Sequence, residues 1–529
     1  MRIRNIFTRI FCLFAGLLFS EVSYSQVSVT PKWVSIATNS TGIGMGNQRM
    51  VISQGHLYSI ATFRGRANFG PGPGSVELVT QTMNQVDADI AIAKYDLDGN
   101  VLWVKQVGGT DEDQAYGITA DDAGNVYVTG AFRKTVDFNP GTGLHELTAT
   151  GADPAKGGNP ESTDDDIFIL KLNANGDFVW AHAFGAITAD IGYGIKAHGS
   201  HIYVTGAFRR TIDFDPGPEE HTLSAPRSNP ADPNTSAQIF VAKYGLDGSY
   251  VWAKAMGGLG NERPYALDVD ASGNVYTIGA FAGTANFNPD GESNISSLGS
   301  NDAFISKLNA QGGFEWVKAI RGSSFHDMGT SIGIDNGGNV VAGGFFEGSV
   351  EFFPDDEGGE LLNGGGYYDA FVVKLEPDGS LIWARSMGGT GNFDEEIFGV
   401  ATDPSNNVYV GGRFQNTIDL DPGPATDVYS VKGGRDMFFA KLSASGNYEW
   451  GKVIGGNGSD ILESVTIHEG DVYIGGLFAA TVDFDPEDGV MERSGTGNTI
   501  FIGRYSQSAV QPPAPCPADV TFTSQADVT

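Results

Sequence analysis

DAFVVKLEPDGSLIWARSMGGTGNFDEEIFGVATDPSNNVYVGGRFQNTIDLDPGP, residues 369–424, is the stretch whose reading decides the fold. DAFVVKL (369–375) is rich in aromatic and β-branched residues and ends at the turn residues PDGS. LIWARSMGG (381–389) is a second run of this kind, followed by a loop rich in Gly and acids. IFGVATD (397–403), the turn PSNN and VYVGGRF (408–414) supply two more, and TIDLDPGP (417–424) closes the unit. Short runs bounded by Gly, Asn, Asp and Pro are strands joined by hairpin turns. The same order recurs around Asp89, Asp166, Gln238, Asp302 and Asp436.

The tryptophans count the repeats. There are seven: Trp33, Trp103, Trp180, Trp252, Trp316, Trp383 and Trp450, spaced 70, 77, 72, 64, 67 and 67 residues apart. A recurring spacing of this size marks a repeated supersecondary unit. The two ends complement each other. PKWVSIAT (31–38) has no Lys-bearing strand before it, and NTIFIGRY (498–505) has no Trp segment after it. Joined, they complete a seventh unit and remove the free sheet edges of an open array. The expected fold is therefore all-β: a seven-bladed β-propeller with four-stranded blades. Its ring is closed by N-terminal and C-terminal strands sharing one blade.

These units read roughly D-A-F-x-x-K-L-x-x-x-G-x-x-x-W followed by G-I-x-x-D-x-x-G-N-x-Y-V-x-G. They resemble the SBBP-type bacterial β-propeller repeat over residues 31–505, with loops inserted around the DPG segment. The resemblance implies a secreted or surface propeller and no shared reaction, and a propeller fold alone says little about function.

Outside the repeat, Arg2, Arg4 and Arg9 precede the apolar run Ile10 to Phe19, and Ser23 and Ser25 bracket a cleavage point before Gln26. That is the order of a secretory signal peptide, and the run is too short to span a bilayer. The expected divisions are a signal peptide at 1–25, a propeller at 26–505, a Pro-rich linker at 506–517 and the start of a further, truncated module at 518–529. The expected location is secreted or at the cell surface. A net charge of −32 repels nucleic acid and anionic membranes. It leaves cations, basic partners and neutral glycans. Only Cys516 survives removal of the leader, so a core and not a disulfide framework must stabilise the fold.

Within a blade, the strand containing YGITAD (116–121) is expected innermost, with VYVTGAF next, the Lys strand third and the Trp strand outermost. Strands converging on an axis need small residues, and one position offers them: Val51, Gly117, Gly194, Ala266, Ser331, Gly399 and Ser464. Phe63, Phe132, Phe208, Phe281, Phe346, Phe414 and Phe478 read as core between blades. The turns DLDGN (96–100) and DDAGN (121–125) lack the ligand pattern of a calcium loop and read as hairpin turns. The long loops 141–163 and 217–237 are expected on the opposite face, where recognition would sit.

Four residues before the small position stands an acid: Asp113, Asp190, Glu262, Asp327, Glu395 and Asp460, with Asn47 in the seventh unit. Two readings compete. Each carboxylate caps amides of its own loop, or the six form a cation-attracting ring at the channel mouth, with calcium as the one cofactor left open. A second series, Asp137, Asp213, Asn286, Glu351, Asp419, Asp483 and Asn68, is the candidate partner of Lys94, Lys171, Lys243, Lys307, Lys374, Lys441 and Arg504, unless those bases reach solvent. His198, His201, His56 and His468 sit at turns and are too few together for zinc. No G-x-S-x-G, H-E-x-x-H or P-loop occurs.

The sequence thus points to a monomeric, non-enzymatic extracellular binding or scaffold domain for a protein or glycan. The alternatives are a carbohydrate-active enzyme (glycoside hydrolase or polysaccharide lyase) with carboxylates at the channel mouth, and a structural spacer. The enzyme would need one blade to break the repeat with a clustered set of acids, His, Tyr or Arg.

Overall fold

The computed structural model describes residues 27–39, 45–70, 75–82, 87–151, 164–226, 236–323, 326–353, 359–365, 367–389, 391 and 393–509. The expected signal peptide and the expected module at 518–529 lie outside them. Among the described residues the regular elements are strands, without a helix, and no helix is long and apolar enough to cross a membrane.

Strand Gln114–Ala120 pairs with Val126–Phe132, which pairs with Asp166–Leu172, which pairs with Phe178–Phe184, all antiparallel. The order is that expected: inner, second, Lys-bearing, Trp-bearing. The pattern recurs from inner strands Met45–Ser53, Ile191–His198, Arg263–Val269, Met328–Ile334, Glu395–Thr402 and Ile461–His468. Units are numbered below from the one that starts at Met45–Ser53. The seventh takes its strands from both ends of the chain: Ile461–His468, Asp471–Asp483, Glu492–Ala509 and then Val27–Asn39. Trp33 lies opposite Arg504 and Val27 opposite Ala509, so the final strand runs four residues beyond the expected boundary at 505. Each inner strand packs beside the next, and Ile461–His468 packs beside Met45–Ser53.

Every inner strand carries a bulge near its start, at Ala115/Gly117 in the second unit and at matching places in the others. In the first unit the shift runs from Gly46 to Arg49 and likewise inserts one residue, because the partners Thr62 and Ile60 are two apart. Arg49 then faces Ile60 as Gly117 faces Thr129. The axial residue of that unit is therefore Arg49 and not Val51, and the count that selected Asn47 falls with it. Arg49 stands where the other six units place a small residue, so a search for small residues passes over it.

The seven register phenylalanines are fully buried. Four of them meet the Phe of the T-V-D-F-D segment edge to face: Phe132 with Phe138, Phe208 with Phe214, Phe281 with Phe287 and Phe478 with Phe484, at 5.2, 5.7, 5.6 and 5.3 Å between centroids. This is the favoured arrangement of aromatic quadrupoles.

The Lys series pairs differently from expectation. Lys94, Lys171, Lys243 and Lys307 donate to the carbonyls of Ala174, Leu246, Ala310 and Pro377, in turns of the following unit, at 2.7–3.2 Å. Trp103, Trp180, Trp252 and Trp316 donate their indole N–H to those same carbonyls at 3.1–3.3 Å. Each of these four Lys also lies 5.0–5.2 Å from the ring of a Tyr on the second strand. In the fifth unit Val341 replaces that Tyr, and Lys374 pairs with the buried Asp335 at 2.8 Å. The acids of T-V-D-F-D close their own hairpins. Oδ1 of Asp137, Asp213, Asp419 and Asp483 each accepts two backbone N–H groups, those of the residues two and eight positions on. A local amide lies within reach of these carboxylates before any base on another strand does.

Candidate functional site

The six recurrent acids lie inside the units and do not point into the channel. All are at most 1% exposed. Asp113 accepts from Gly109 N at 2.7 Å and Arg133 N at 3.1 Å, Asp190 from Ala186 N at 2.8 Å and Arg209 N at 2.7 Å, and Asp460 from Gly456 N at 2.9 Å and Ala479 N at 3.0 Å. Asp327 accepts from Glu347 N at 3.0 Å, Glu395 from Gly389 N at 3.4 Å, and Glu262 from Gln238 Nε2 at 2.9 Å. Each therefore caps the loops around its own inner strand. Burial raises all six: Asp460 to about 6, Asp327 and Glu262 to about 7, Glu395 to about 9, and Asp113 and Asp190 well above the usual carboxylate range. Neighbouring carboxylates on the Lys-bearing strands add to the rise, Asp89 at Asp113 and Asp369 at Glu395 among them. The glycine of the same junction makes room for this pairing. A Cβ on Gly388 would lie 1.8 Å from Asp369 Oδ1.

What faces the axis is the bulge residue. Tyr116, Tyr193, Tyr265, Thr330, Phe398 and Glu463 line a shared cavity of 180 Å³ together with the axial residues. Tyr193 lies 5.4 Å from Tyr116 and 5.7 Å from Tyr265, so three consecutive units present a tilted aromatic arc. Arg49 donates to the carbonyls of Glu463 and Gln48 at 2.9 and 3.3 Å. Glu463 is raised by burial, and Arg49 opposes the rise.

Beside this mouth a second pocket of 390 Å³ opens between the fourth and fifth units. Asn261, Arg263 and Tyr265 line one wall, and Asn301, His326 and Tyr368 contribute to the rest, with Phe345 beneath. Phe345 packs 4.9 Å from Tyr368, which meets Tyr367 edge to face at 4.7 Å. Asn301 Nδ2 lies 2.9 Å from His326 Nδ1. With the amide donating, His326 keeps its proton on Nε2. Sequence reasoning missed this site because its residues come from loop ends and strand starts of two units, and none belongs to a series singled out in the sequence. The one available signal was departure from the repeat: Phe345 stands opposite Ala370, where the second and third units place Ala131 and Ala207.

The DPG segments do not stand on the face opposite the tight turns. Asp215, Pro216 and Gly217 share a cavity with Asp247, Gly248 and Ser249 of a tight turn. Asp290 pairs with Lys254, and Tyr429 Oη donates to Gly451 O, both on outer strands. The hairpins add to the outer strand of the preceding unit, as Asn286 does at Gly257, and their tips fold back along the rim. Residues 152–163 and 227–235 of the long loops lie outside the described residues. In one tip His221 Nε2 lies 3.5 Å from Glu219 and 3.8 Å from Asp215, and its ring stacks on Tyr250 at 4.5 Å. It is the one three-residue set of metal-ligand type among the described residues. His56, His198, His201 and His468 remain at tight turns, apart from it.

Residues 102–131 match the family described as SBBP beta-propeller repeat, so the chain carries that repeat. An uncharacterized WD repeat-containing protein of Acanthamoeba polyphaga mimivirus is 22% identical over 488 residues, covering 77% of this chain and 34% of that protein. Regulatory protein FlaEY of Caulobacter vibrioides is 24% identical over 362 residues, 65% of this chain and 36% of that one. The match spans about a third of the length of these relatives. Among solved structures, a duf4221 family member from Bacteroides vulgatus aligns over 92% of this chain and 100% of its own, with a TM-score of 0.30 and 9% identity. Sqt1 from Chaetomium thermophilum aligns over 76% of this chain and 98% of its own, with a TM-score of 0.32 and 9% identity.

Proposed function

From a chain that carries the SBBP β-propeller repeat, we propose a secreted or cell-surface binding domain, monomeric and non-enzymatic, built as a seven-bladed propeller with its ring closed by the two chain ends. Support for closure lies in the pairing of Val27–Asn39 with Glu492–Ala509 and in the packing of the last inner strand beside the first. The ligand is a protein or glycan met at the mouth of the axial channel. The observation that carries this reading is asymmetry. Most of the molecule repeats, but at the mouth the fourth and fifth units place Arg263, His326 and Tyr368 where the third places Ile191, Ala189 and Ala237. A rigid scaffold with one irregular patch of aromatic and polar groups is how recognition sites are built.

The test is binding of the chain from residue 26 onward to a panel of extracellular proteins and glycans. Tyr265→Ala and Tyr368→Ala should lose binding while keeping the wild-type melting temperature. Binding untouched by both, and lost on changing the tight-turn residues His198 and His201, would place recognition on the other face. Export with a new N-terminus at Gln26 tests the location.

The second reading, a carbohydrate-active enzyme, draws on the same patch, because Tyr265, His326 and Arg263 together form a set that can exchange protons and hold an anion. Turnover of any polysaccharide that vanishes in His326→Ala or Glu395→Gln would favour it.

A further inference from the structure

The arginines at the mouth are almost all neutralised within the molecule. Arg64 pairs with Glu112, and Arg133 with Asp111, Glu112 and Asp165. Arg413 pairs with Glu396, and Arg435 with Asp394 at 3.0 Å. Arg263 is exposed and has no carboxylate partner among the described residues. Its neighbours are phenols: its charge lowers the pKa of Tyr193 and Tyr265 against the rise caused by their burial.

The register explains the vacancy. In the sixth unit Glu396 faces Arg413 across the first two strands, and the two form an ion pair. In the fourth unit the same two positions hold Arg263 and Ala280. The acid's position holds a base and the base's position holds a methyl group, so no counter-charge lies across the ladder from Arg263. The flanking position follows suit. Where the second and sixth units place Glu112 and Asp394, the fourth and fifth place Asn261 and His326. In a chain with 64 acids against 32 bases, this pocket is lined by one Arg, one His and no acid. Glu347 and Asp394 add to the raised pKa of Tyr368 from outside the lining, and Asp394 is held by Arg435.

We infer that this pocket binds an acidic glycan, with Arg263 taking a sugar carboxylate and the aromatic side chains of Tyr265 and Tyr368 taking pyranose rings. The inference rests on the binding-face reading above. A guanidinium matches a carboxylate with two parallel N–H donors. The remaining polar groups, Asn261, Asn301 and His326 Nε2–H, are hydrogen-bond partners suited to hydroxyls. The pocket volume of 390 Å³ lies in the range of small-ligand sites. The anionic surface does not forbid an anionic ligand, because charges beyond about 8 Å are screened at physiological salt.

The experiment is calorimetric binding of oligogalacturonate, oligoalginate and hyaluronan fragments, each beside its methyl ester, to the chain from residue 26 onward. At least one acid form should bind, and its ester should bind about tenfold or more weakly, the loss for a charge-assisted pair. Arg263→Gln should abolish that preference by bringing the acid's affinity down to that of the ester, and Arg263→Lys should restore part of it. Equal affinity for acid and ester would overturn the inference while leaving a glycan-binding face. Binding of poly-glutamate with the same dependence on Arg263 would replace the glycan by an acidic peptide. Failure of every acidic glycan with Tm intact would also overturn it, and the wider binding reading would then rest on the protein panel.

Discussion

Trp33 and Arg504, from opposite ends of the chain, donate to the same acceptor: indole Nε1 and guanidinium Nη1 each lie 2.9 Å from the carbonyl oxygen of Leu97. The Lys and Trp of the first five units share a turn carbonyl of the following unit in the same way, so the seam between the termini uses the contact that joins five of the six other pairs of neighbouring units. Deleting residues 27–39 should therefore expose the edge of Glu492–Ala509 and cost the whole fold its cooperativity. Light scattering and thermal melting check this, and an unchanged melting temperature would refute it.

At the junction of the sixth and seventh units the indole's bond to a turn carbonyl is not made. The sixth unit's Trp450 faces the place where the seventh unit has chain ends instead of a turn, and its buried Nε1 has no acceptor. Trp383, equally buried, donates to Ala444 O at 3.1 Å. Truncating either to Ala should cost about 3–5 kcal/mol. Changing Trp to Phe separates the two: Trp383→Phe forfeits a hydrogen bond and Trp450→Phe does not, a difference of about 1 kcal/mol in urea melts. Equal costs would show that the shared carbonyl adds nothing.

The buried acids make stability depend on pH. Folded pKa values raised to about 6, 7, 7 and 9 at Asp460, Asp327, Glu262 and Glu395 mean that the folded state holds protons the unfolded chain releases from about pH 4 upward. Their contribution is complete below the unfolded pKa and is lost as pH rises through the folded one. His182 and His201, whose pKa values burial lowers, work in the opposite direction near pH 6.5 but are two groups against several. The melting temperature should thus be higher at pH 5 than at pH 8. Glu395→Gln should flatten that slope and leave pH 5 stability near wild type, because the amide mimics the protonated acid. A melting temperature that climbs from pH 5 to pH 8 would contradict the assignment.

Calcium should move the melting temperature by less than a degree or so, because loop amides already occupy the oxygens of Asp113, Asp190 and Asp460. A resident ion at a hundredfold excess over its Kd would add about 2.7 kcal/mol. A shift of several degrees that disappears in Asp113→Asn or Asp460→Asn would show that a cation, and not the amides, compensates these acids.

Strand order, the four-strand unit and the pairing of the termini were legible because each leaves a periodic trace: seven Trp, seven buried Phe and complementary ends. The register of the first unit was not, because Arg49 occupies the place that a small residue marks in the other six units. The Lys partners were not, because a backbone carbonyl such as that of Ala174 carries no mark in the sequence. The binding pocket was hidden for a related reason. Arg263 gains its meaning from Ala280 across the ladder, and only the register places those two side by side.

Val27 and Ala509 are paired neighbours on antiparallel strands, at one end of their ladder. A pull applied to these two residues would part the rungs one at a time, from Val27 and Ala509 toward Ala37 and Ile500, and would not load them all at once in shear. Under tension through its termini the molecule has a built-in point of first failure. The other six units would feel force only after that seam had opened.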